Sequence, residues 1–211
     1  LASANNIIIA TGARPKWFTK IKPDGKQIIT YKEAMILDKQ PKSLVIIGAG
    51  AIGVEFAHFY QTFGTEVTLI EALPNILPTE DSEISIELEK IFKKRKMNIL
   101  TNTKVEKIEK LNNKIKVHLH SNEIVEAEKA LIAVGVQGNI EEMGLEESNI
   151  AIERGWIQIN EFMETSQKNV YAIGDVAGPP WLAHKASAEG FTAVEHLAGL
   201  SPKPMIYDNI P

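Results

Sequence analysis

The segment Leu44–Glu55 holds the residues of this chain whose types and spacing best suit a chemical task. It reads Leu-Val-Ile-Ile-Gly-Ala-Gly-Ala-Ile-Gly-Val-Glu, which predicts a buried strand, a glycine turn and the start of a helix. Gly48 permits a tight turn, Gly50 lets a pyrophosphate approach the main chain, and Gly53 lets the helix pack closely on the strand. Free N–H groups at the helix start would then face the phosphates of a dinucleotide.

A carboxylate follows at the position that such a site needs. The strand pattern Glu66–Ile70 ends at Glu71, which can accept hydrogen bonds from a ribose diol. A plain surface acid at a strand end is the weaker interpretation, because the glycine motif precedes it. Residues 72–74 are Ala, Leu and Pro, so this segment has no basic side chain that could bind the 2′-phosphate of NADP. The pattern therefore favours NAD over NADP.

Composition limits the function classes. The chain has 211 residues, 44% of them hydrophobic, which is enough for one or two domains. A net charge of −4 gives no reason to expect nucleic-acid binding, and no apolar run reaches the ~18 residues of a membrane span. Without cysteine, the chain has no disulfide, cysteine metal site or redox disulfide of its own, and no metal site is predicted. The basic run Lys93–Lys96 is interpreted as a solvated helix end rather than a localisation signal.

The remaining patterns predict an α/β fold. They indicate a buried strand over Asn6–Gly12, a loop over Arg14–Tyr31, a helix with the apolar face Ile84, Leu88 and Ile91, a hairpin of Lys104–Leu111 with Lys114–His120, and helices over Ala51–Phe63 and Ala183–Ala198.

Five segments, in this order along the chain, resemble the flavoprotein disulfide reductases, which are class I pyridine nucleotide-disulfide oxidoreductases. They are Ile9–Gly12, Gly48–Glu55, Ala133–Gly135, Val170–Asp175 and Leu182–Ala186. The resemblance covers essentially the whole chain, but only the middle and later part of the family's length. It implies a three-layer Rossmann-like NAD-binding domain over residues 32–140, with a parallel sheet and a β-meander. Residues 1–31 and 141–211 would form an incomplete FAD-binding domain that leads to a missing dimerisation domain.

The resemblance also implies cofactor contacts, residue by residue. Glu55 matches an acid near the nicotinamide and flavin rings, and Asp175 matches an aspartate beside the ribityl and phosphate groups of FAD. The full set for NAD is Gly48, Ala49, Gly50, Ala51, Ile52, Gly53, Val54, Glu55, Glu71, Val105 and Gly135. The full set for FAD is Thr11, Gly12, Ala13, Asp175, Trp181, Leu182, Ala183 and His184.

Three departures from the family pattern matter. Relatives often have an arginine and a proline after the position of Gly135, whereas this chain reads Val-Gln-Gly-Asn over 136–139. Trp181 stands where a methionine is common. The family's first FAD glycine motif, its redox cysteines and its C-terminal His-Glu pair are missing, so no catalytic residue is expected in this chain. We therefore expect it to be inactive alone and to hold FAD weakly or not at all.

The resemblance implies an activity for the full-length protein. It is similar to the branch that oxidises dihydrolipoamide, carried by acyltransferase subunits of 2-oxo-acid dehydrogenase complexes, and passes electrons through FAD to NAD. The expected protein is a homodimer in the bacterial cytoplasm or the mitochondrial matrix. An NADH oxidase or ferredoxin reductase is an alternative, against which the segment Leu182–Ala186 argues. A non-catalytic NAD-binding module is another, and it better describes these 211 residues by themselves.

Overall fold

The chain forms two compact units in a computed structural model that describes residues 3–210. The central unit runs from Pro15 to Gly135, and the flanking unit combines the residues up to Arg14 with those from Val136 onward. The central unit therefore overlaps the predicted NAD-binding domain and also takes in residues 15–31.

The regular elements are short strands and a few helices. The strands are β1 (Ile7–Ile9), β2 (Ala13–Pro15), β3 (Ile28–Ile29), β4 (Ser43–Ile47), β5 (Glu66–Ile70), β6 (Asn98–Leu100), β7 (Val105–Lys110), β8 (Ile115–Leu119), β9 (Ile124–Ala127), β10 (Lys129–Ile132), β11 (Val136–Gly138), β12 (Ile152–Glu153), β13 (Trp156–Ile157) and β14 (Val170–Ala172). The α-helices are α1 (Tyr31–Ala34), α2 (Ala51–Thr62), α3 (Ser82–Lys94) and α4 (Ala183–Leu197), and 3-10 helices cover Gly174–Ala177 and Tyr207–Asn209.

The central unit has three layers, and the middle layer is a parallel sheet. The sheet has the strand order β3-β10-β4-β5-β6, and each pair of neighbouring strands is parallel. Successive side chains of β4 point to opposite faces: Leu44 and Ile46 pack with α1, α2 and α3, whereas Val45 and Ile47 pack with the antiparallel meander β7-β8-β9. This confirms the predicted α/β class, with its parallel sheet and meander. The crossover from β4 through α2 to β5 makes these strands parallel, so the glycine turn after β4 and Glu71 after β5 lie at the same, carboxyl-terminal end of the sheet.

Two local predictions in the central unit are confirmed. Ile115, Val117 and Leu119 of β8 are buried, because they alternate with polar residues that face away from the core. Helix α2 ends just before Gly64, whose φ of +93° is the left-handed conformation that favours glycine after a helix.

Helix α3 buries a different face from the one predicted. Ile84 and Ile91 are exposed, and the inward residues include Ser85 and Phe92, with Leu88 partly buried. Ser85 turns inward because its hydroxyl donates to two main-chain carbonyls, and the larger ring of Phe92 joins the core. Hydrophobic spacing alone therefore misplaced the buried face.

Three further expectations need correction. The segment Arg14–Tyr31 is not only a loop, because it contains β3 at the edge of the central sheet. The sequence patterns predict no strand over Ile124–Ala127, where the structure has β9. In β1 only Ile9 is buried, since this strand pairs with β14 in a two-stranded sheet that leaves Ile7 and Ile8 exposed.

The flanking unit consists of the parallel pair β1-β14, the hairpin β12-β13, the pair β2-β11 and helix α4. Helix α4 ends at Leu197, and Gly199 follows with a φ of +72°, as the sequence predicts. None of the helices within residues 3–210 has the length and apolar character required to cross a membrane.

Candidate nucleotide and flavin sites

Two glycines of the central unit are required by close packing. Gly48 follows β4 with a φ of +101°, and a Cβ there would lie 2.4 Å from the carbonyl oxygen of Ala133. A Cβ on Gly53 would lie 1.9 Å from the carbonyl oxygen of Gly48. Both distances are far below any tolerable contact, so the turn can approach β10 and α2 only because these residues have no side chain.

Gly50 is unlike the other two, because a Cβ there would meet nothing within 4 Å. It is the N-cap of α2 and supplies no side-chain cap. The first N–H that closes a helical turn is that of Val54, which donates to the carbonyl oxygen of Gly50 at 3.0 Å. The N–H groups of residues 51–53 therefore lie at the positive end of a 12-residue helix, beside open space. An anion such as a pyrophosphate fits this arrangement.

Glu71 is joined directly to the glycine turn. Its side chain is 8% exposed, and Oε2 accepts a hydrogen bond from the N–H of Ala49 at 2.7 Å. Oε1 accepts from the N–H of Leu73 at 2.9 Å. Each carboxylate oxygen has a second lone pair, so Glu71 can accept from a diol while it keeps these bonds.

The structure brings most of the predicted NAD residues together. The N–H of Thr103 donates to the carbonyl of Glu71 at 2.9 Å, and Val105, two residues further on, begins β7. Gly135 has a φ of +98°. It lies two residues after Ala133, which follows β10 and lies against Gly48. Within the stretch from residue 48 to residue 55, the buried members are Ala49, Gly53 and Val54, the exposed ones are Ala51 and Glu55, and Gly48, Gly50 and Ile52 are intermediate.

In the flanking unit, the segment 11–13 is held by side chains that the sequence reasoning missed. Thr11 donates to the carbonyl of Asn139 at 2.7 Å, and the amide of Asn139 donates back to the carbonyl of Thr11 at 2.9 Å. The guanidinium of Arg14 donates to the carbonyl of Gly138 and forms two hydrogen bonds with the carboxylate of Glu141. This ion pair lowers the pKa of Glu141, chiefly through the hydrogen bonds from Arg14.

Asp175 lies in the 3-10 helix after β14 and is not its N-cap, which is Ile173. It is half-buried, and its carboxylate has no hydrogen-bond partner within residues 3–210. The other predicted flavin residues open helix α4: Leu182 is its N-cap without a side-chain bond, and Trp181, Ala183 and His184 are exposed. The carboxylate of Asp175 can accept hydrogen bonds from a hydroxyl-rich ligand, and the first N–H groups of α4, which lack a side-chain cap, can donate to an electron-rich group.

A buried ion pair anchors the loop between Asp175 and α4. Lys185 is 1% exposed and Glu189 is 0% exposed, and they face each other one turn apart with their Nζ and Oε1 atoms 3.0 Å apart. The sequence patterns indicate Lys185 only as part of the segment Leu182–Ala186, and they do not reveal its pairing with Glu189. The available signal was a Lys and a Glu four residues apart on a helix face that also carries small residues.

Two of the departures from the family pattern, the segment 136–139 and Trp181, meet at the ring of Trp156. A Cβ on Gly138 would lie 2.6 Å from the carbonyl of Gly155 and 3.1 Å from Cε3 of Trp156. The same indole lies against Trp181, with the ring centroids 5.2 Å apart. The glycine at position 138 is thus required chiefly by the carbonyl of Gly155, and Trp156, which also contacts Trp181, tightens the same space.

Comparison with known proteins identifies the family. A sequence model of the pyridine nucleotide-disulphide oxidoreductases matches residues 2–190. The dihydrolipoyl dehydrogenase of Rhizobium etli is 48% identical over 202 residues, which cover 94% of this chain and 42% of that protein. The Bacillus subtilis protein of the same name is 44% identical over 204 residues, covering 94% of this chain and 43% of that protein.

Solved structures agree with this. LpdA from Mycobacterium tuberculosis matches with a TM-score of 0.90 at 29% identity, over 96% of this chain and 44% of that one. The flavoprotein disulfide reductase RclA from Escherichia coli matches with a TM-score of 0.87 at 27% identity, over 95% of this chain and 46% of that one.

The chain belongs to the pyridine nucleotide-disulphide oxidoreductase family, which confirms the resemblance of its motifs. Family membership implies the use of FAD and of NAD or NADP. The chain spans less than half the length of these curated relatives.

Proposed function

We propose that the central unit binds NAD(H) in the turn Gly48–Gly53, with Glu71 as the acceptor for the adenosine ribose. The observation that carries this is the hydrogen bond from Ala49 N–H to Glu71, beside the open space at Gly50. One buried carboxylate thus lies beside uncapped helical N–H groups. The N–H groups can donate to the pyrophosphate of a dinucleotide, and the carboxylate can accept from its ribose hydroxyls.

The same carboxylate supports a preference for NAD over NADP. A 2′-phosphate at Glu71 would put two negative groups side by side, and the side chains of residues 72–74 carry no positive charge. The preference would therefore come from repulsion of NADP as well as from the hydrogen bonds to the free diol.

For the flanking unit we propose FAD as the ligand, held by residues 11–13, by Asp175 and by the segment 181–184. The half-buried carboxylate of Asp175, which has no partner within the described residues, supports this. The bound flavin would supply the electron-accepting ring, and the protein would supply orientation. The chain by itself would hold FAD weakly, because the family's first FAD glycine motif is not among its 211 residues.

For the full-length protein we propose dihydrolipoyl dehydrogenase activity, as a homodimer that serves 2-oxo-acid dehydrogenase complexes in the bacterial cytoplasm or the mitochondrial matrix. The names of the relatives at 48% and 44% identity support this. Since the chain contains no cysteine, disulfide exchange would need cysteines outside these residues. The 211 residues alone would bind nucleotide without turnover.

The deciding experiment is a calorimetric titration of this chain with NADH and, separately, with NADPH. We expect saturable NADH binding that is at least about tenfold tighter than NADPH binding, which corresponds to about 1.4 kcal/mol. Tighter binding of NADPH would contradict the role of Glu71. Failure of both nucleotides to bind would contradict a site formed by the central unit itself.

The flavin proposal has its own test. The purified chain is mixed with FAD, desalted and examined for the visible flavin absorption band. We expect a band well below one flavin per chain. A stoichiometric band would overturn the expectation of weak binding, and a complete lack of FAD binding in a direct titration would overturn the proposed flavin site.

A further inference from the structure

The structure holds a buried charged cluster that the proposed function does not use. It consists of Lys185 and Glu189 of helix α4 and Tyr207 from the segment after that helix. All three belong to the flanking unit.

Every hydrogen-bonding atom at the centre of this cluster is occupied. The Nζ of Lys185 donates to the carbonyls of Gly174 and Gly178, at 3.1 and 3.0 Å, and to Glu189. Glu189 accepts from the N–H of Gly174 at 2.7 Å and from the hydroxyl of Tyr207 at 2.7 Å. An ammonium group has three donors, so Lys185 has none left for a ligand. The cluster therefore acts on a ligand only through the main chain that it binds.

That main chain is the turn that carries Asp175. Gly174 and Gly178 stand at the two ends of this turn with φ values of +74° and +100°. Because glycine restricts the backbone dihedral angles less than any other residue, the sequence alone does not hold these two ends in one conformation. Lys185 binds the carbonyls of both glycines, and Glu189 binds the N–H of the first. The turn is thus fixed at both ends by one buried ion pair, and Asp175 lies between these ends.

Stability alone does not account for such a pair. Removal of two charges from water is unfavourable, and replacement of a buried ion pair by apolar residues of similar volume is often neutral or stabilising. A fixed local conformation is an effect that apolar residues would not reproduce at Gly174 and Gly178, because they cannot bind main-chain carbonyl and N–H groups.

We propose that Lys185, Glu189 and Tyr207 are positioning residues, which hold the turn Gly174–Gly178 so that the carboxylate of Asp175 is presented in one orientation to its ligand. The ligand class, a flavin nucleotide, rests on the proposed function. The positioning itself rests on the hydrogen bonds, and it can be tested without the ligand.

The main variant is the double substitution Lys185→Met with Glu189→Met. It leaves no unpaired buried charge, so we expect it to be less destabilised than either single substitution, which would leave one. We expect its thermal midpoint to fall while the unit stays folded, because the main-chain groups of Gly174 and Gly178 and the hydroxyl of Tyr207 lose their buried partners. Amide hydrogen exchange at Gly174 should accelerate at least about tenfold, because that N–H loses its charged acceptor. The amide of Ile173, which donates to the carbonyl of Ile9, should not change.

Two further variants sharpen the result. Tyr207→Phe removes one hydrogen bond to Glu189 and keeps the ring, so a smaller acceleration confined to the same turn is expected. The control is Glu195→Met with Lys203→Met, which makes the same substitutions at two exposed positions of the same unit. It should leave the exchange of the turn unchanged.

Titration with FAD is the second readout. If the unaltered chain binds FAD, the double variant should bind it about tenfold more weakly, and the control variant should match the unaltered chain. If no FAD binds to the unaltered chain, the flavin part of the proposed function fails while the exchange result still decides the positioning. Uniform acceleration of all amides in the unit, or no acceleration at Gly174, would overturn the proposal.

Discussion

The main-chain N–H of Ala49 donates to Oε2 of Glu71 at 2.7 Å, and this bond joins the turn after β4 to the acid after β5. The carbonyl of Ala49 accepts from the N–H of Leu77 at 2.7 Å, so the peptide groups on both sides of this residue are engaged. Because Leu73 donates to the other oxygen of Glu71, the carboxylate has one orientation before any ligand arrives. The glycine turn and the ribose acceptor thus form one connected unit.

Replacement of Glu71 by Ala should weaken both binding and folding. The N–H groups of Ala49 and Leu73 would lose their acceptor, which costs about 1–3 kcal/mol for a buried group. We expect NADH affinity to fall at least about tenfold and the ratio of NADPH to NADH affinity to rise, since the repulsive charge is gone. Calorimetry and urea unfolding measure the two effects. Glu66→Ala, at the exposed start of the same strand, is the matched control and should change neither.

Two alanine substitutions in the glycine turn should separate folding from binding. Gly53→Ala would place a methyl group 1.9 Å from the carbonyl oxygen of Gly48, so we expect destabilisation of about 1–3 kcal/mol or more in urea unfolding. Gly50→Ala places its methyl group in open space, so stability should change by less than about 1 kcal/mol. The same methyl group would lie where the pyrophosphate approaches, and NADH affinity should fall. Unchanged affinity in Gly50→Ala would contradict the assigned position of the phosphates.

Sequence reasoning found the parts of the fold that depend on neighbours along the chain. The glycine turn, the end of α2 at Gly64 and the alternation of β8 each have a local physical cause. Features that depend on contacts between residues distant in the sequence could not be predicted in this way. The inward face of α3 depends on the hydroxyl of Ser85 and its bonds to carbonyls outside the helix, and the role of Glu189 depends on Gly174, fifteen residues away.

Asp24 should make the stability of the central unit depend on pH in acid. Burial alone would raise the pKa of Asp24, but hydrogen bonds from the N–H groups of Ile28, Lys26 and Gln27 and from Lys110 lower it to about 2. This value lies below the ~3.9 of an unfolded aspartate. The stabilisation is therefore fully present above about pH 4 and is lost as the pH falls through 2.

The expected contribution of Asp24 is about 1 kcal/mol, reduced from the full conversion of the shift because the residue is partly exposed to solvent. The variant Asp24→Asn should unfold more readily at pH 7, and its stability should decline less steeply between about pH 4 and pH 2. Urea unfolding at several pH values measures both. Parallel declines for the two proteins would show that Asp24 does not carry this pH dependence.

Gly138 offers the sharpest test of the packing that surrounds Trp181. Gly138→Ala would bring a methyl group to 2.6 Å from the carbonyl of Gly155 and 3.1 Å from the ring of Trp156, so either the hairpin or the indole must move. We expect a loss of about 1–3 kcal/mol in unfolding free energy and a change in tryptophan emission, because Trp156 also contacts Trp181.

The matched control for Gly138→Ala is Gly190→Ala in helix α4 of the same unit. A Cβ at Gly190 would lie 3.7 Å from the nearest atom, an ordinary contact with Ile173, and alanine favours a helix over glycine by about 1 kcal/mol. The same chemical change should therefore destabilise the unit at one position and stabilise it at the other. If Gly138→Ala were neutral, the hairpin β12-β13 would have to move freely, and the contacts with Gly155 and Trp156 would not explain the glycine at position 138.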